Sequence, residues 1–243
     1  VAVSHDTRTR AGEQRSPALV LDFGGPVLLT PFELAGLRAE PGSPVHTLLA
    51  GRGPLAPIDE PDPDWRALQA CELTEREYWA HRARDWAAAG GHGQTVQQMI
   101  SHLFEPAGPE LVRPEALSII HDAKAAGRAV GVLTNDLKAF HADEWIEQMH
   151  VLDEVDTVVD GSVEGYLKPH PRLYEVMAER LGVSFEQMVF VDDQMSNVAG
   201  ARALGIPTVE FHPRDPEGSF AVARRLLGLS PSDHTVAAPD EER

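Results

Sequence analysis

Five short apolar runs, each closing on a polar turn, set the terms on which this chain can fold. Ala18-Leu-Val-Leu-Asp22 meets Phe-Gly-Gly-Pro, Ala129-Val-Gly-Val-Leu-Thr134 stops at Asn135-Asp136, and Asp156-Thr-Val-Val-Asp160 stops at Gly161. Met188-Val-Phe-Val-Asp192 ends at a polar turn, and Pro207-Thr-Val-Glu-Phe211 follows Gly205. Apolar runs without polar alternation belong to strands covered on both faces, hence to a parallel sheet. Helical stretches separate them. Pro114 and Gly127 bracket one helix, Ser184-Phe-Glu-Gln187 fits a capping box, and Ala199 to Leu204 closes at Gly205. Strand and helix alternate from residue 114 onward, which predicts an open α/β sheet with every strand's C-terminal end on one edge.

Residues 31–112 have a different character. They contain no clear strand, carry helical candidates near 64–70, 74–89 and 94–104, and are linked by Gly51-Arg-Gly-Pro54 and by Ala56 to Pro63. Thr74-Glu-Arg-Glu77 fits a second capping box. This segment reads as an inserted all-helical cap. Trp79 and Trp86 stand seven apart and share a helix face, which predicts packing inside the insert. The expected organisation is an α/β core over 17–30 and 113–229, the cap over 31–112, a disordered lead-in over 1–16 and a disordered tail over 230–243.

The 243 residues suffice for one large domain or for a core with a smaller insert. No run of about 18 apolar residues offers a membrane span, and the polar start has no apolar signal core, so the cytoplasm is the expected location. Cys71 is the only cysteine, which excludes an internal disulfide and a zinc cluster of cysteines. The histidines form no recurring ligand pair on one helix, so zinc is not expected from them. The net charge of −17 argues against nucleic acid and anionic membranes as partners. Much of that acidity serves solvation, as in Asp240-Glu-Glu242. The same field repels an anionic substrate at long range, so a phosphate site needs local cations.

Four polar sites follow four of the strands. They are Asp22, then Thr134 and Asn135, then Lys168 in Gly165-Tyr-Leu-Lys-Pro-His-Pro171, and last Asp192 and Asp193. Each has an ordinary reading alone, as a turn, a helix cap or a solvated lysine. Together they converge beyond the strand ends, where open α/β sheets bind ligands. Three carboxylates in one crevice repel unless protons or a cation neutralise them. Oxygen ligands alone point to a hard ion, and Mg²⁺ takes few carboxylates and keeps waters. Lys168, Thr134 and the turn amides around Gly24 and Gly25 are then candidates to hold a phosphoryl group.

These residues resemble the four motifs of the haloacid dehalogenase superfamily. Leu21-Asp-Phe-Gly-Gly resembles the first, Leu133-Thr-Asn the second, Lys168-Pro the third, and Phe190-Val-Asp-Asp-Gln-Met-Ser-Asn197 the fourth. The likeness covers residues 18–30 and 112–211. The insert, with Glu72-Leu-Thr-Glu-Arg-Glu-Tyr-Trp, resembles the subgroup with a helical cap after the first motif. The resemblance implies a doubly wound, Rossmann-like core and a small phosphoester substrate. It implies Asp22 as the nucleophile that becomes an aspartyl phosphate. Asp22, Asp193 and the Gly24 carbonyl would bind Mg²⁺, with Asp192 binding it directly or through water. Thr134 and Asn135 would hold phosphoryl oxygens, and Lys168 would neutralise Asp22 and the developing charge.

Two positions depart from the pattern. The family's usual acid/base aspartate, two places after the nucleophile, is here Gly24, and Pro26 replaces a usual Thr or Val. Such acid-base help contributes about 10²–10⁴ in rate. Three readings follow: a substrate with a good leaving group, a proton supplied by another group such as one from the cap, or a phosphate- or partner-binding protein that has lost turnover. The metal-free dehalogenase branch replaces the aspartates of the fourth motif, and both are present here. Arg66, Arg76, Arg82, Arg84, His81, His92 and His102 are the cap's candidates for substrate choice, although solvation is the ordinary role of each. His170 follows Lys168-Pro169 where the family often has an acid, and its ordinary role is loop packing.

Overall fold

A computed structural model describes residues 16–91 and 95–229. The expected tail, His92 and all of the expected lead-in except Ser16 lie outside the described residues. Five strands form one parallel sheet in the order β3-β2-β1-β4-β5. They are β1 (Ala18–Leu21), β2 (Val130–Thr134), β3 (Thr157–Asp160), β4 (Met188–Asp192) and β5 (Thr208–Glu210). The three central strands are buried along their whole length, as runs without polar alternation require. β3 starts one residue later than its apolar run. Asp156 turns its carboxylate back to accept from the Val130 N–H at 2.8 Å and from Lys124 Nζ at 2.6 Å.

Between β1 and β2 lie six α-helices: α1 (Pro31–Arg38), α2 (Pro44–Leu49), α3 (Pro63–Gln69), α4 (Glu75–Ala88), α5 (Val96–Phe104) and α6 (Pro114–Ala125). No strand interrupts them among the described residues. α3 to α5 match the three helical candidates within two residues at each end. The short α1 and α2 were not expected, and their signal is at the caps rather than in the pattern. Thr30 and Ser43 each accept from the N–H three residues on, and proline opens both helices. The Thr74 box forms as expected, with the Thr74 N–H donating to Glu77 Oε2 at 2.9 Å. Trp79 and Trp86 are buried. Trp79 stacks on Phe32 and Trp86 on His102, with centroids 5.5 and 5.7 Å apart.

Beyond β2 come α7 (Leu137–Phe140), α8 (Asp143–Glu147), α9 (Gly161–Glu164), α10 (Pro171–Leu181), α11 (Met195–Ala203) and α12 (Pro216–Leu227). α6 and α12 cover one face of the sheet, and α10 and α11 the other. The expected box at Ser184 caps only a three-residue 3-10 turn, Phe185–Gln187. No helix among the described residues is long and apolar enough to cross a membrane.

The two passages between sheet and helices are tied together. The Leu29 N–H donates to the Leu111 carbonyl at 2.8 Å and the Arg113 N–H to the Val27 carbonyl at 2.9 Å. Arg113 is 3% exposed. Its guanidinium donates to the Gly25 carbonyl and forks onto both carboxylate oxygens of Glu33, one at 2.8 Å. It also lies 5.1 Å from the centre of the Phe211 ring. Glu33 in turn closes the Thr30 box, accepting from the Thr30 N–H at 2.7 Å. One buried cation thus fixes the turn after β1 and the start of α1. Removing one partner of a buried pair costs about 3–5 kcal/mol, because the other is left charged and dry. Arg113→Met should lower unfolding stability by that order in urea titrations, and Glu33→Leu in the same chain should restore much of it.

Candidate active site

Register places the site. Leu21 pairs with Val132 on one side and with Val191 on the other. The next residues, Asp22 and Asp192, therefore stand level at the C-terminal edge, with Thr134 one step beyond on β2. The Asp22 N–H extends the ladder by donating to the Val191 carbonyl at 2.9 Å. Lys168 arrives from the loop after α9. Its Nζ donates to Asp22 Oδ1 at 2.7 Å and to Asp192 Oδ2 at 2.6 Å, and the residue is 5% exposed. Asn135 holds the lysine's main chain in both directions. Its Oδ1 accepts from the Lys168 N–H at 2.7 Å, and its Nδ2 donates to the Lys168 carbonyl at 3.4 Å.

The two adjacent aspartates differ in what they have left to offer. Asp192 is wholly buried and saturated. Besides Lys168 it accepts from the Gln194 N–H at 2.8 Å and from Asn197 Nδ2 at 3.2 and 3.1 Å. No protein donor reaches the Asp193 carboxylate among the described residues. Its neighbour is Gly25, with φ +95°, where an added Cβ would stand 3.0 Å from the Asp193 carboxylate. Only glycine lets the turn lie there. At Gly24 an added Cβ would meet nothing nearer than Asp22 Oδ2 at 4.0 Å, so that position has room for a side chain.

One carboxylate oxygen each from Asp22, Asp192 and Asp193 lies within 4.8 Å of the others. Burial pushes the Asp22 carboxyl up to about 8; the nearby Asp192 adds to the shift and Lys168 opposes it. Asp193 is also pushed well up, by burial first and then by Asp192 and Asp22. Burial would lower the Lys168 ammonium, but Asp192 and Asp22 outweigh it and raise the pKa. One lysine shared among three acids leaves the cluster short of positive charge. All-oxygen donors short of positive charge suit a hard divalent cation. Asp193 and Asp22 are the residues free to hold it, while Asp192 is engaged on every side by the protein.

The insert adds a residue that the sequence reading did not single out. Glu75, the first residue of α4, lines the same crevice as Asp22, Asn135, Lys168 and Asp193. Burial raises its pKa, Asp192 and Asp136 adding to that, while Lys168 and a hydrogen bond with Asn135 oppose it. It stood within the Thr74 box, but helical spacing does not say that the side chain at the first position crosses to the sheet edge. Gln69 also bridges across, donating from Nε2 to the Asp193 carbonyl at 3.4 Å and accepting from the Met195 N–H at 3.2 Å. Thr134, Gly24 and Gly25 line the crevice as expected.

The other described candidates from residues 31–112 stand outside the crevice lining. Arg66 and Arg84 are exposed, Arg76 pairs with Asp136 at 2.6 Å, and Arg82 pairs with Asp64 at 2.5 Å. His81 lies 4.0 Å from Asp64. His170 caps α10, its Nδ1 accepting from the Arg172 N–H at 3.2 Å, and its ring packs on Tyr166.

Residues 51–205 match the sequence model of the haloacid dehalogenase-like hydrolases, and the chain belongs to that family. It is 38% identical over 93 residues to a phosphatase of Mycobacterium tuberculosis, a match spanning 38% of this chain and 43% of the relative. It is 28% identical over 173 residues to a phosphoglycolate phosphatase of Rhodospirillum rubrum, spanning 68% of this chain and 71% of the relative. The crystal structure of a dehalogenase superposes with a TM-score of 0.54 at 20% identity, covering 81% of this chain and 84% of that one. That likeness defines the fold.

The acid cluster has a measurable signature. A carboxyl raised in the fold favours the native state fully below its unfolded value of 3.8 and loses that contribution as pH rises through the folded value. In chelator at about pH 8, Asp193→Asn should therefore raise the urea midpoint. Near pH 4 the gain should vanish. Added Mg²⁺ should stabilise the parent protein at the higher pH and leave Asp193→Asn nearly unmoved.

Proposed function

We propose that this chain is a Mg²⁺-dependent phosphohydrolase that cleaves a small phosphate monoester through an aspartyl phosphate on Asp22. The observation that carries this reading is the buried Lys168 ammonium joined to Asp22 and Asp192, beside an Asp193 carboxylate that no protein donor reaches among the described residues. Asp22, Asp193 and the Gly24 carbonyl would hold the cation, with Asp192 standing beside them. Mg²⁺, when bound, neutralises the crowded carboxylates and the phosphoryl oxygens. Thr134 and the turn around Gly25 receive the phosphoryl group, and Asn135 serves it by fixing Lys168. Helices α1 to α5 act as a cap that excludes water from the crevice.

Asp22 attacks phosphorus, a new bond forms from its carboxylate oxygen, and the bond to the alcohol oxygen breaks. That oxygen takes its proton from the Glu75 carboxyl, which stands in for the carboxyl absent at Gly24. Water then attacks phosphorus, gives its proton back to Glu75, and the bond to Asp22 breaks. Inorganic phosphate leaves, with Asp22 and Glu75 restored. Lys168 orients Asp22, favours its ionised form before attack and balances the charge that develops as the bonds to phosphorus change. The mycobacterial phosphatase and the phosphoglycolate phosphatase support this reaction class. The presence of both fourth-motif aspartates in the cluster argues against metal-free dehalogenation.

Phosphate release from a panel of sugar, acyl and alkyl phosphates should require both Mg²⁺ and Asp22, and Asp22→Asn should abolish it. A zero rate from the parent protein with measurable phosphoester binding would instead establish a binding protein. For the proton, Glu75→Gln should lower kcat about 10²–10⁴-fold on alkyl phosphates. It should change hydrolysis of an acyl or nitrophenyl phosphate far less, since those leaving groups need no proton. Gly24→Asp in the Glu75→Gln chain should return part of the alkyl phosphatase rate.

A further inference from the structure

The crevice has two unlike ends. One end holds the acids and Lys168. The other is walled by Phe32, Trp65, Trp79, Ile100, Phe104 and His141. The crevice encloses a cavity of about 110 Å³. The wall is built rather than incidental. Phe32 stacks on Trp79 and meets Trp65 edge-on at 5.4 Å, and Phe104 meets the His141 ring at 5.5 Å. His141 stacks on Trp145 with centroids 3.8 Å apart, and burial lowers its pKa to about 4, so the ring is neutral near pH 7.

Charge on the lining is one-sided. Lys168 is the only lysine or arginine among the described residues of the wall, and both neighbouring carboxylates already hold it. Glu75 and Asp136 also face the crevice, and Arg76, which pairs with Asp136 at 2.6 Å, is not part of the wall. The arginines of the insert stand outside it. A substrate with a second anionic group, such as a carboxylate or another phosphate, would bury that charge without a partner and beside acids. A sugar would set its hydroxyls against aromatic rings with few free donors or acceptors.

We infer that the substrate is the phosphate monoester of an uncharged, apolar alcohol, whose hydrocarbon body lies along the wall of Phe32, Trp65, Trp79, Ile100, Phe104 and His141. This rests on the phosphohydrolase reading of the same site. The aromatic wall supplies binding by burial, and the acid end supplies the chemistry. Discrimination between alcohols then follows buried apolar area rather than paired polar groups.

The test is a series of straight-chain alkyl phosphates, with phosphoglycolate and glucose 6-phosphate beside them, assayed on the parent protein and on Asp22→Asn. Burying a methylene contributes about fourfold in affinity, converted from the usual transfer value. Thus kcat/KM should rise by about that factor per carbon until the wall is covered, and phosphoglycolate should be hydrolysed far more slowly than the longer alkyl esters. Trp65→Ala, a change at a half-buried ring, should flatten the rise in kcat/KM from methyl phosphate to the longer esters. A flat series, or preference for phosphoglycolate, with release still dependent on Asp22 overturns this inference and leaves the hydrolase reading intact. Release from none of these esters, or release indifferent to Asp22, overturns both.

Discussion

A buried ammonium between two carboxylates is the contact on which the rest of this molecule turns. Lys168 lies in a loop, yet its Nζ reaches across the sheet edge to Asp22 and Asp192, each less than 3 Å away. Without it, two acids at neighbouring strand ends would face each other in a low dielectric, where like charges are costly. The loop is in turn held by Asn135, at the end of β2. Three strand ends and one loop are therefore locked by a single cation. The parallel sheet makes this possible, because its register puts Asp22 and Asp192 level.

A second buried cation performs the matching task at the other end of the turn. Arg113 holds the Gly25 carbonyl and Glu33 together, so the glycine turn that faces Asp193 is fixed from behind. The turn cannot relax away from the carboxylates, and Gly25 cannot take a side chain without meeting Asp193. The crowding of acid is thus imposed by the packing. A site held this rigidly presents its carboxylates in place before any ligand arrives, which is the arrangement that electrostatic stabilisation requires.

Much of this was legible in the residues alone. The continuous apolar runs specified the parallel sheet, and the polar residue closing each run specified the edge where the site lies. Asp22, Lys168, Asp192 and Asp193 come together there. What could not be read was direction. The adjacent Asp192 and Asp193 look alike as letters, but alternation along the strand end sends one inward to Lys168 and Asn197 and leaves the other facing the turn. Glu75 and Arg113 were missed for a related reason. Each sits at the start of a helix, where local pattern describes a cap, and only the tertiary path shows what the side chain reaches. α1 and α2 escaped notice because helices of eight and six residues are too short for periodicity to register.

Gln69 carries a consequence for affinity. Its amide grips the main chain of Asp193 and Met195, the segment that carries the fourth-motif carboxylates. Swinging α3 away from the sheet hands that segment to water. Anything that steadies Asp193 therefore steadies the docked helix as well, and docking steadies Asp193 by the same free energy. An ion held at the sheet edge would thus share one equilibrium with a helix more than a hundred residues away in sequence.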